Sequence, residues 1–299
     1  MSSLKEVKNR INSVKSTQKI TSAMQMVASA KLHKRQQSIE VLYPYQQQMD
    51  RILNNFLSSD IGDIKSPYLE QRKVERVAIL PVSSNTSLCR AFNTNINRAF
   101  LEVYNQYKEE LGENSIELYP IGRKVEDFIK KQGISINQSF EHLSDKPTYE
   151  AAHKLVNGLM NRFIERKIDK VVIIYHHFKV VSTQVLEVET FLPLKLSSLI
   201  KEKKDQKALN ENSVVAPQYI IEPSIEEFIE ELIPQAVRLR MFTILLDANT
   251  SEHAARMLAM QLATDNADEL IDDLTQQYNK TRQQAITNEL LDIVGGTFK

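Results

Sequence analysis

Helix-breaking residues are scarce in this chain, and their placement is uneven. Its 299 residues include seven glycines and nine prolines, yet none precedes Pro44 and none lies between Pro234 and Gly295. Because glycine and proline are the strongest local breakers of regular structure, short elements joined by turns are not expected at either end. A single helix over residues 235–294 would be roughly 90 Å long, which predicts a coiled coil or a helical rod.

Cysteine pairs, membrane-spanning runs and an excess of one charge are also missing. Cys89 is the only cysteine, so an internal disulfide is excluded. Lys plus Arg and Asp plus Glu number 38 each, and this balance argues against non-specific nucleic-acid binding. No apolar run approaches the ~20 residues of a membrane span, and "MSSLKEVKNRINSVK" lacks the apolar centre of a secretory signal. We therefore expect no direct membrane insertion.

Catalytic motifs are a third absence. His176 and His177 are neighbours in a predicted strand, so their side chains point to opposite faces and do not form a metal site. The loop "PVSSNTSLCRAFN", residues 81–93, stands where an α/β fold binds phosphate but contains no glycine. No nucleophile elbow occurs, although a dispersed Ser/His/Asp triad stays open. The acids of residues 265–273 are interpreted as a solvated face, and no catalytic, cofactor-binding or metal-binding residue is expected.

What both ends do contain is helical periodicity. Apolar residues recur at three- and four-residue steps in Leu4, Val7, Ile11 and Val14, and resume on a shifted face in Ile20, Met24 and Val27. The corresponding groups near the end are Ala255, Leu258 and Leu262, then Leu270, Leu274 and Tyr278, then Ile286, Leu290 and Ile293. Because the frame slips between groups, we predict two helices without one strict heptad seam. Ser224 and Glu227 match a capping box that begins the last helix, and Gly295-Gly296 is expected to end it.

The middle of the chain alternates between strand and helix patterns. Strands are predicted at 74–82, 115–122, 169–178 and 183–194, and helices around 92–108, from 123 and from about 149 to 166. The alternation predicts an α/β fold in which a Rossmann-like domain with a largely parallel sheet is joined to a long antiparallel two-helix coiled coil. The predicted domains are an N-terminal coiled-coil helix at 1–61, the central α/β domain at 62–223 with a mobile loop at 197–217, and a C-terminal coiled-coil helix with a projecting tip at 224–299.

Two segments carry a resemblance to a known family. "SLKEVKNRINSVKSTQKITSAMQMVASAKL" near the start and "SEHAARMLAMQLATDNADELIDDLTQQYNKTRQQAITNELLDIVGG" near the end resemble the terminal helices of the γ subunit of F-type ATP synthases. The resemblance is close over residues 2–45 and 236–296, and "LEVETFLPL" closes the middle domain as it does in the family. It implies a non-catalytic central rotor shaft that couples proton-driven rotation of the membrane c-ring to the catalytic β subunits. The implied partners are the α, β and ε subunits and the c-ring, with no cofactor and no nucleic acid, at the cytoplasmic face of a bacterial inner membrane.

The resemblance also implies particular contacts with the β subunit. Arg282 and Gln283 match the family's Arg-Gln pair that hydrogen-bonds a loop of β, and Thr287 matches the threonine one turn later. Met24 matches a methionine that packs near β, where a longer, charged side chain should disturb coupling. Each has a simpler interpretation, a solvated helix face for Arg282 and Gln283 and coiled-coil packing for Met24. The basic residues Lys31, Lys34 and Arg35 are expected to face an acidic surface of β.

The chain departs from the family pattern in one loop. The family's "SDRGLCGGFN"-like sequence reads "SNTSLCRAFN" here. The resemblance therefore does not establish whether residues 84–93 contact ε or the c-ring as the family's loop does. The predicted loop at 197–217 lies where the chloroplast form carries a redox insert, but it has no cysteine, and thiol regulation is not expected. Two rival functions remain: a coiled-coil scaffold with an α/β cap, which would show a sustained heptad and self-association, and an α/β enzyme, which would need a glycine-rich or triad-bearing loop.

Overall fold

The computed structural model describes residues 4–58, 66–194 and 224–297, so the predicted mobile loop at 197–217 lies outside the described residues. The chain divides into two compact units. We call Met1–Lys31 with Arg256–Lys299 the helical unit, and Leu32–Ala255 the sheet unit. Each unit has its own packing and is described separately.

Two long helices account for both ends of the chain, as predicted. Helix α1 spans Leu4–Ser58 and the last helix, α6, spans Ile225–Thr297. The Ser224 hydroxyl accepts a hydrogen bond from the Glu227 amide at 3.2 Å, which confirms the predicted cap. The predicted stop at Gly295-Gly296 is wrong, because the helix continues to Thr297. A glycine in a helix costs only about 1 kcal/mol relative to alanine, so two of them do not oblige the backbone to turn.

Within the helical unit, α1 and α6 pack antiparallel along one seam. The hydroxyls of Thr21 and Thr264 lie 2.8 Å apart, and Gln18 donates to Asp268 at 3.1 Å. Residue numbers therefore increase along α6 in the direction in which they decrease along α1. The buried and half-buried seam positions of α1 are Leu4, Val7, Ile11, Val14, Gln18, Thr21, Gln25 and Ala28. Those of α6 are Met260, Thr264, Ala267, Ile271, Leu274, Tyr278, Thr281 and Ala285.

Both sets keep alternating steps of three and four residues, so the predicted slip of the heptad frame is wrong. The seam continues through polar and small residues, Gln18, Thr21 and Ala28 among them, which a search for large apolar side chains passes over. Ile20 and Val27, which that search assigned to the seam, are 60% and 57% exposed.

The last turns of α6 extend past this seam. Extending the register from Thr21 and Thr264 back to Leu4 reaches the level of Thr281. Beyond that level, no described residue of α1 stands opposite α6. The large apolar side chains there are exposed: Ile286, Leu290, Leu291, Ile293 and Val294.

The sheet unit contains a four-stranded sheet in the order β2-β1-β3-β4. Its strands are β1 at Val77–Pro81, β2 at Ile116–Leu118, β3 at Lys170–Val180 and β4 at Thr183–Leu192. Strand β1 pairs parallel with β2 and β3, while β3 and β4 form an antiparallel hairpin. This mostly parallel sheet confirms the predicted α/β class and the final hairpin. Strand β2 is shorter than predicted.

Helices cover both faces of the sheet. They are α2 at Phe92–Leu111, α3 at Arg123–Lys131, the short α4 at Glu141–Asp145, which the sequence did not reveal, and α5 at Tyr149–Ile164. Alternate residues of β1 enter opposite cores, as the strand period of two requires. Val77 and Ile79 pack with residues of α2 and α3 such as Phe100. Ala78 and Leu80 pack with residues of α5, of α1 and of the first half of α6.

Candidate functional site

The crevice beyond the carboxyl ends of β1 and β2 is where parallel α/β sheets most often bind ligands. Here it is filled by the chain's own side chains. The Ser83 hydroxyl accepts from the Val125 amide at 3.0 Å, and the Asn85 side-chain oxygen accepts from the Arg123 amide at 2.9 Å. These two contacts occupy amides in the first turn of α3 that an anion would otherwise use. A Cβ at Gly122 would lie 2.2 Å from the Ser83 carbonyl oxygen, so only glycine permits this close approach.

The loop after β1 holds a buried thiol in a strained backbone. Leu88 and Arg90 adopt positive φ values of 69° and 54°, a conformation that costs non-glycine residues roughly 1–2 kcal/mol each. Between them Cys89 is 1% exposed and clusters with Phe92 and Ala255. The loop is further held by the Asn93 side chain, whose Nδ2 donates a hydrogen bond to the Cys89 sulfur at 3.2 Å. The Cys89 side chain is therefore part of the packed interior. The neighbouring Leu88 is instead 59% exposed.

The adjacent histidines point to opposite sides of β3, as the strand period predicts. His176 is buried and stacks on Phe92 with ring centroids 4.4 Å apart, and burial lowers its pKa to about 4. It is therefore neutral at pH 7. His177 is partly exposed and pairs with Asp247 at 2.6 Å. Among the described residues, no three His, Cys, Asp or Glu side chains are grouped to hold a metal ion. The helices in the described part of the chain include none long and apolar enough to cross a membrane.

The partner-binding residues predicted from the sequence lie at two levels of the helical unit. Met24 is half-buried on α1, at the level of residue 261 in the register set by Thr21 and Thr264. Arg282, Gln283 and Thr287 are exposed on α6. Met24 and Arg282 are therefore separated along the helix axis by about 30 Å. The structure does not bring them into one site; they belong to two separate surfaces.

The α6 residues share a local arrangement. The Thr287 hydroxyl donates to the Gln283 carbonyl oxygen at 2.9 Å, so its proton is used within the helix and its lone pairs face outward. The side chains of Arg282 and Gln283 are exposed, which leaves a guanidinium and an amide available to a partner. The apolar tip described above begins one turn later, at Ile286.

A second apolar surface runs along α1. Ile20, Ala23, Val27 and Ala30 are all exposed and follow the same three- and four-residue steps as the seam, displaced around the helix. We call these four residues the α1 outer stripe. Exposed apolar residues that form a continuous stripe mark an interaction surface, whereas isolated ones need no explanation. Sequence analysis missed this stripe because it counted Ile20 and Val27 as seam residues.

The exposed charges of the helical unit are unevenly distributed: bases predominate on α1 and acids on α6 over residues 265–273, although α1 also exposes Glu6 and α6 also exposes Lys280 and Arg282. Lysines and an arginine are exposed on α1, namely Lys5, Lys8, Arg10, Lys15, Lys19 and Lys31. The acids of α6 between Asp265 and Asp273 are exposed as well, and one of them, Asp268, accepts the hydrogen bond from Gln18. The unit thus presents a basic side and an acidic side. A partner that surrounds it meets different charges at different angles.

The hairpin of the sheet unit is a third exposed apolar region, and the sequence analysis did not single it out. Strand β4 is an edge of the sheet, and Val180, Leu186 and Val188 are 50%, 36% and 49% exposed. Glu189 on the same strand is instead held by Arg240 of α6, and both side chains are nearly buried. The hairpin is therefore fixed at its base and apolar at its surface.

The chain is similar over nearly its whole length to one family of known proteins. The family model described as ATP synthase matches residues 3–298. The chain is 53% identical to the ATP synthase gamma chain of Bacteroides thetaiotaomicron, with both chains covered in full. It is 39% identical to that of Cytophaga hutchinsonii, with 99% of this chain and 98% of the relative covered.

Solved structures show the same fold at low identity. The rotor of the Euglena gracilis mitochondrial ATP synthase matches with a TM-score of 0.64 at 18% identity, covering 95% of this chain and 98% of that one. The central stalk and c-ring structure of the Tetrahymena thermophila mitochondrial enzyme matches with a TM-score of 0.55 at 20% identity, covering 82% and 99%.

Proposed function

The chain belongs to the family of ATP synthase gamma chains, the central rotor shaft of the F-type enzyme, and we propose that its helical unit turns inside the catalytic ring of α and β subunits. The observation that carries the proposal is the exposed apolar surface of this unit. Its two helices bury a single seam and leave the α1 outer stripe and the apolar tip of α6 uncovered. A two-helix scaffold that needed only itself would not expose both.

The coupling follows from asymmetry. One pair of helices inside a three-fold ring presents a different face to each β subunit, and the basic and acidic sides of the unit strengthen that difference. Each β subunit is held in the conformation that binds the face it meets, because a contact shifts an equilibrium only by its differential affinity. Proton-driven rotation then takes every catalytic site through the same series. We propose that this chain supplies no catalytic group and that the reaction occurs on β.

Two sets of residues are proposed to contact β. Arg282 and Gln283 would hydrogen-bond a β loop, with Thr287 accepting one turn later; the support is their exposure just before the apolar tip. Charge-assisted hydrogen bonds of this kind are directional and strong enough to hold one state. Met24 would pack against β beside the α1 outer stripe, where its unbranched side chain adapts to a moving surface.

The basic residues are not equivalent candidates. Arg35 is half-buried in the sheet unit, and its guanidinium donates to the Asp145 carbonyl oxygen at 3.3 Å. Lys31 and Lys34 are exposed. We therefore propose Lys31 and Lys34 as the contacts with an acidic surface of β and assign Arg35 to contacts within its own chain.

The sheet unit is proposed to contact the ε subunit and the c-ring of the membrane sector, which would place the chain peripherally at the cytoplasmic face of a bacterial membrane. The support is the exposed apolar hairpin, whose strand β4 is an edge of the sheet that the described strands form. No described helix of this chain is apolar and long enough to supply its own membrane anchor.

Co-purification tests the proposal directly. An affinity-tagged chain expressed with its α and β subunits should elute in a complex containing three α, three β and one copy of this chain. That complex should hydrolyse ATP and rotate a probe attached to the sheet unit. If the chain elutes alone, or if sedimentation shows that it self-associates, the result would favour the scaffold alternative and overturn the rotor assignment.

A further inference from the structure

Strand β3 is longer than the strand beside it. Strand β1 ends at Pro81, which is paired with Ile174, and the next amide, Val82, donates to the Ile174 carbonyl oxygen at 2.8 Å. Strand β3 continues to Val180. Its backbone groups on the β1 side therefore have no described strand opposite them beyond this point, although buried backbone groups need partners.

Helix α6 supplies those partners. The Ser251 hydroxyl donates to the His176 carbonyl oxygen at 2.9 Å, and the Phe178 amide donates to the Asp247 carboxylate at 2.8 Å. Two residues along a strand span about 7 Å, and four residues along a helix span about 6 Å. Two side chains one turn apart on a helix can therefore reach two successive backbone groups on the same edge of a strand. Ser251 is fully buried, and the Asp247 side chain is 14% exposed. The helix thus completes the ladder that β1 leaves unfinished.

A third contact lies two turns earlier on the same face of α6. The Arg240 guanidinium is paired with Glu189 of β4, and the Tyr175 hydroxyl donates to the same carboxylate at 3.4 Å. The Arg240 and Glu189 side chains are 11% and 14% exposed. Helix α6 is therefore hydrogen-bonded to both strands of the hairpin, to β3 through Asp247 and Ser251 and to β4 through Arg240.

We propose that Arg240, Asp247 and Ser251 form a torque lock, a set of positioning residues that makes the hairpin and helix α6 turn together. Apolar packing between a helix and a sheet resists separation, but it is non-directional and opposes rotation of the helix about its own axis only weakly. Hydrogen bonds do oppose it. With side-chain atoms about 5 Å from the helix axis, a rotation of roughly 30° moves them by about 2.6 Å, which breaks a hydrogen bond.

The lock rests on the rotor role proposed above and adds to it the residues through which torque enters the shaft. Helix α6 is one continuous element that carries the three lock residues and, further along, Arg282 and the apolar tip. The hairpin carries the exposed apolar residues Val180, Leu186 and Val188. Torque delivered to the hairpin reaches α6 through side chains whose bonds are directional.

Torsional stiffness of the assembled complex is the measurement that isolates this role. The complex is immobilised through its ring, and a probe is attached to the hairpin turn through Ser182→Cys, because Ser182 is exposed and lies outside the apolar surface of the hairpin. Cys89 is buried and does not compete for the label. The variance of the probe angle during the pause for ATP reports the stiffness between hairpin and ring. We expect Asp247→Ala/Ser251→Ala to raise this variance at least two-fold and to lower the ratio of ion pumping to ATP hydrolysis.

Matched variants separate the lock from general destabilisation. Thr243→Ala removes an α6 hydroxyl that donates to the Leu239 carbonyl oxygen of its own helix, so it should leave the variance unchanged. Asp247→Asn keeps an oxygen that accepts from Phe178 and should retain most of the stiffness that Asp247→Ala loses. If the double variant does not assemble, Ser251→Ala and Asp247→Asn carry the comparison alone.

The outcomes distinguish the two proposals. A wild-type complex whose probe does not rotate refutes the rotor role and the lock with it. A rotating wild type with equal variance in Asp247→Ala/Ser251→Ala refutes the lock alone. Equal loosening by Thr243→Ala, or by Asp247→Asn and Asp247→Ala, would show that these side chains act through helix stability or charge and would also overturn it.

Discussion

The hydroxyl oxygens of Thr21 and Thr264 lie 2.8 Å apart across the seam between α1 and α6. Each hydroxyl is also within hydrogen-bond distance of a carbonyl oxygen of its own helix, that of Gln18 for Thr21 and that of Met260 for Thr264. Because a hydroxyl has one proton, one threonine donates across the seam while the other donates within its helix. The pair fixes the axial register of two helices whose neighbouring apolar contacts are non-directional.

Replacing this pair tests the register. Thr21→Val and Thr264→Val should each lower the free energy of unfolding of the helical unit by about 1 kcal/mol, because each removes the hydrogen bond between the two hydroxyls across the seam. The double variant should cost less than the sum, since it removes both polar groups together. Urea unfolding followed by circular dichroism measures all three. Thr275→Val is the matched control, because Thr275 is exposed and donates to Ile271 of its own helix; a cost as large there would refute a seam-specific role.

The same seam shows how far the sequence alone could reach. Absence of glycine and proline before Pro44 and over residues 235–294 predicted that both ends are helical. It did not mark where the helices begin and end, because α1 continues past Pro44 and α6 includes Pro234. Side-chain size could not identify the seam, because Gln18 and Thr21 are buried by a partner that lies far away in the sequence. The torque lock depends on β3 being longer than β1. The sequence could not predict it, because the residues of α6 that contact β3 also lie far from it along the chain. Identification of the family came from whole-helix similarity, which carries information about partners that local periodicity does not.

Met24 is the residue in α1 whose substitution best tests the proposed contact with β. Met24→Lys should leave the helix content unchanged, because the residue is half-buried at the border of the seam and lysine is a good helix former. In the assembled complex it should lower the ratio of ion pumping to ATP hydrolysis several-fold, since a longer charged side chain would alter the contact with each β subunit. Fluorescence quenching in vesicles, normalised to ATPase rate, gives that ratio.

Met26→Lys is the matched control. Met26 is 68% exposed and stands two residues after Met24, so on a helix turning about 100° per residue it lies on nearly the opposite side of α1 from Met24. The substitution introduces the same charge on the same helix but away from the side on which Met24 lies. Equal loss of coupling in both variants would mean that charge on this helix matters and the position does not, and the proposed role of Met24 would then be wrong.

Removal of residues 282–299 tests the end of α6. The last seam positions that are fully buried or nearly so, Ala267 and Leu274, precede the cut, and the sheet unit ends at Ala255. The truncated chain should therefore keep its cooperative unfolding and helix content per residue, while assembly with α and β and coupled pumping decline. Circular dichroism and complex ATPase assays check the two halves of this prediction, and unfolding of the sheet unit would contradict it.

A single substitution tests whether Arg282 accounts for the loss of assembly expected from removing residues 282–299. Arg282→Ala removes the guanidinium proposed to bind the β loop, whereas Lys280→Ala removes an exposed charge two residues earlier on the same helix. Loss of one charge-assisted hydrogen bond should weaken binding to the ring by about 1.5–3 kcal/mol, roughly 10- to 150-fold in the dissociation constant. If both substitutions weaken binding equally, Arg282 contributes only charge.

His176 makes the stability of the sheet unit dependent on pH. Burial against Phe92 lowers its pKa to about 4, below the usual value near 6.5 that it regains on unfolding. The unfolded chain therefore binds more protons than the folded one between these values, and stability falls as pH drops from 6.5 toward 4, by on the order of 3 kcal/mol in total. His176→Gln should abolish this component. Urea unfolding of both proteins at pH 7, 5 and 4 measures it as a difference, in which carboxylate titrations common to both cancel; parallel pH profiles would show that His176 does not titrate on unfolding.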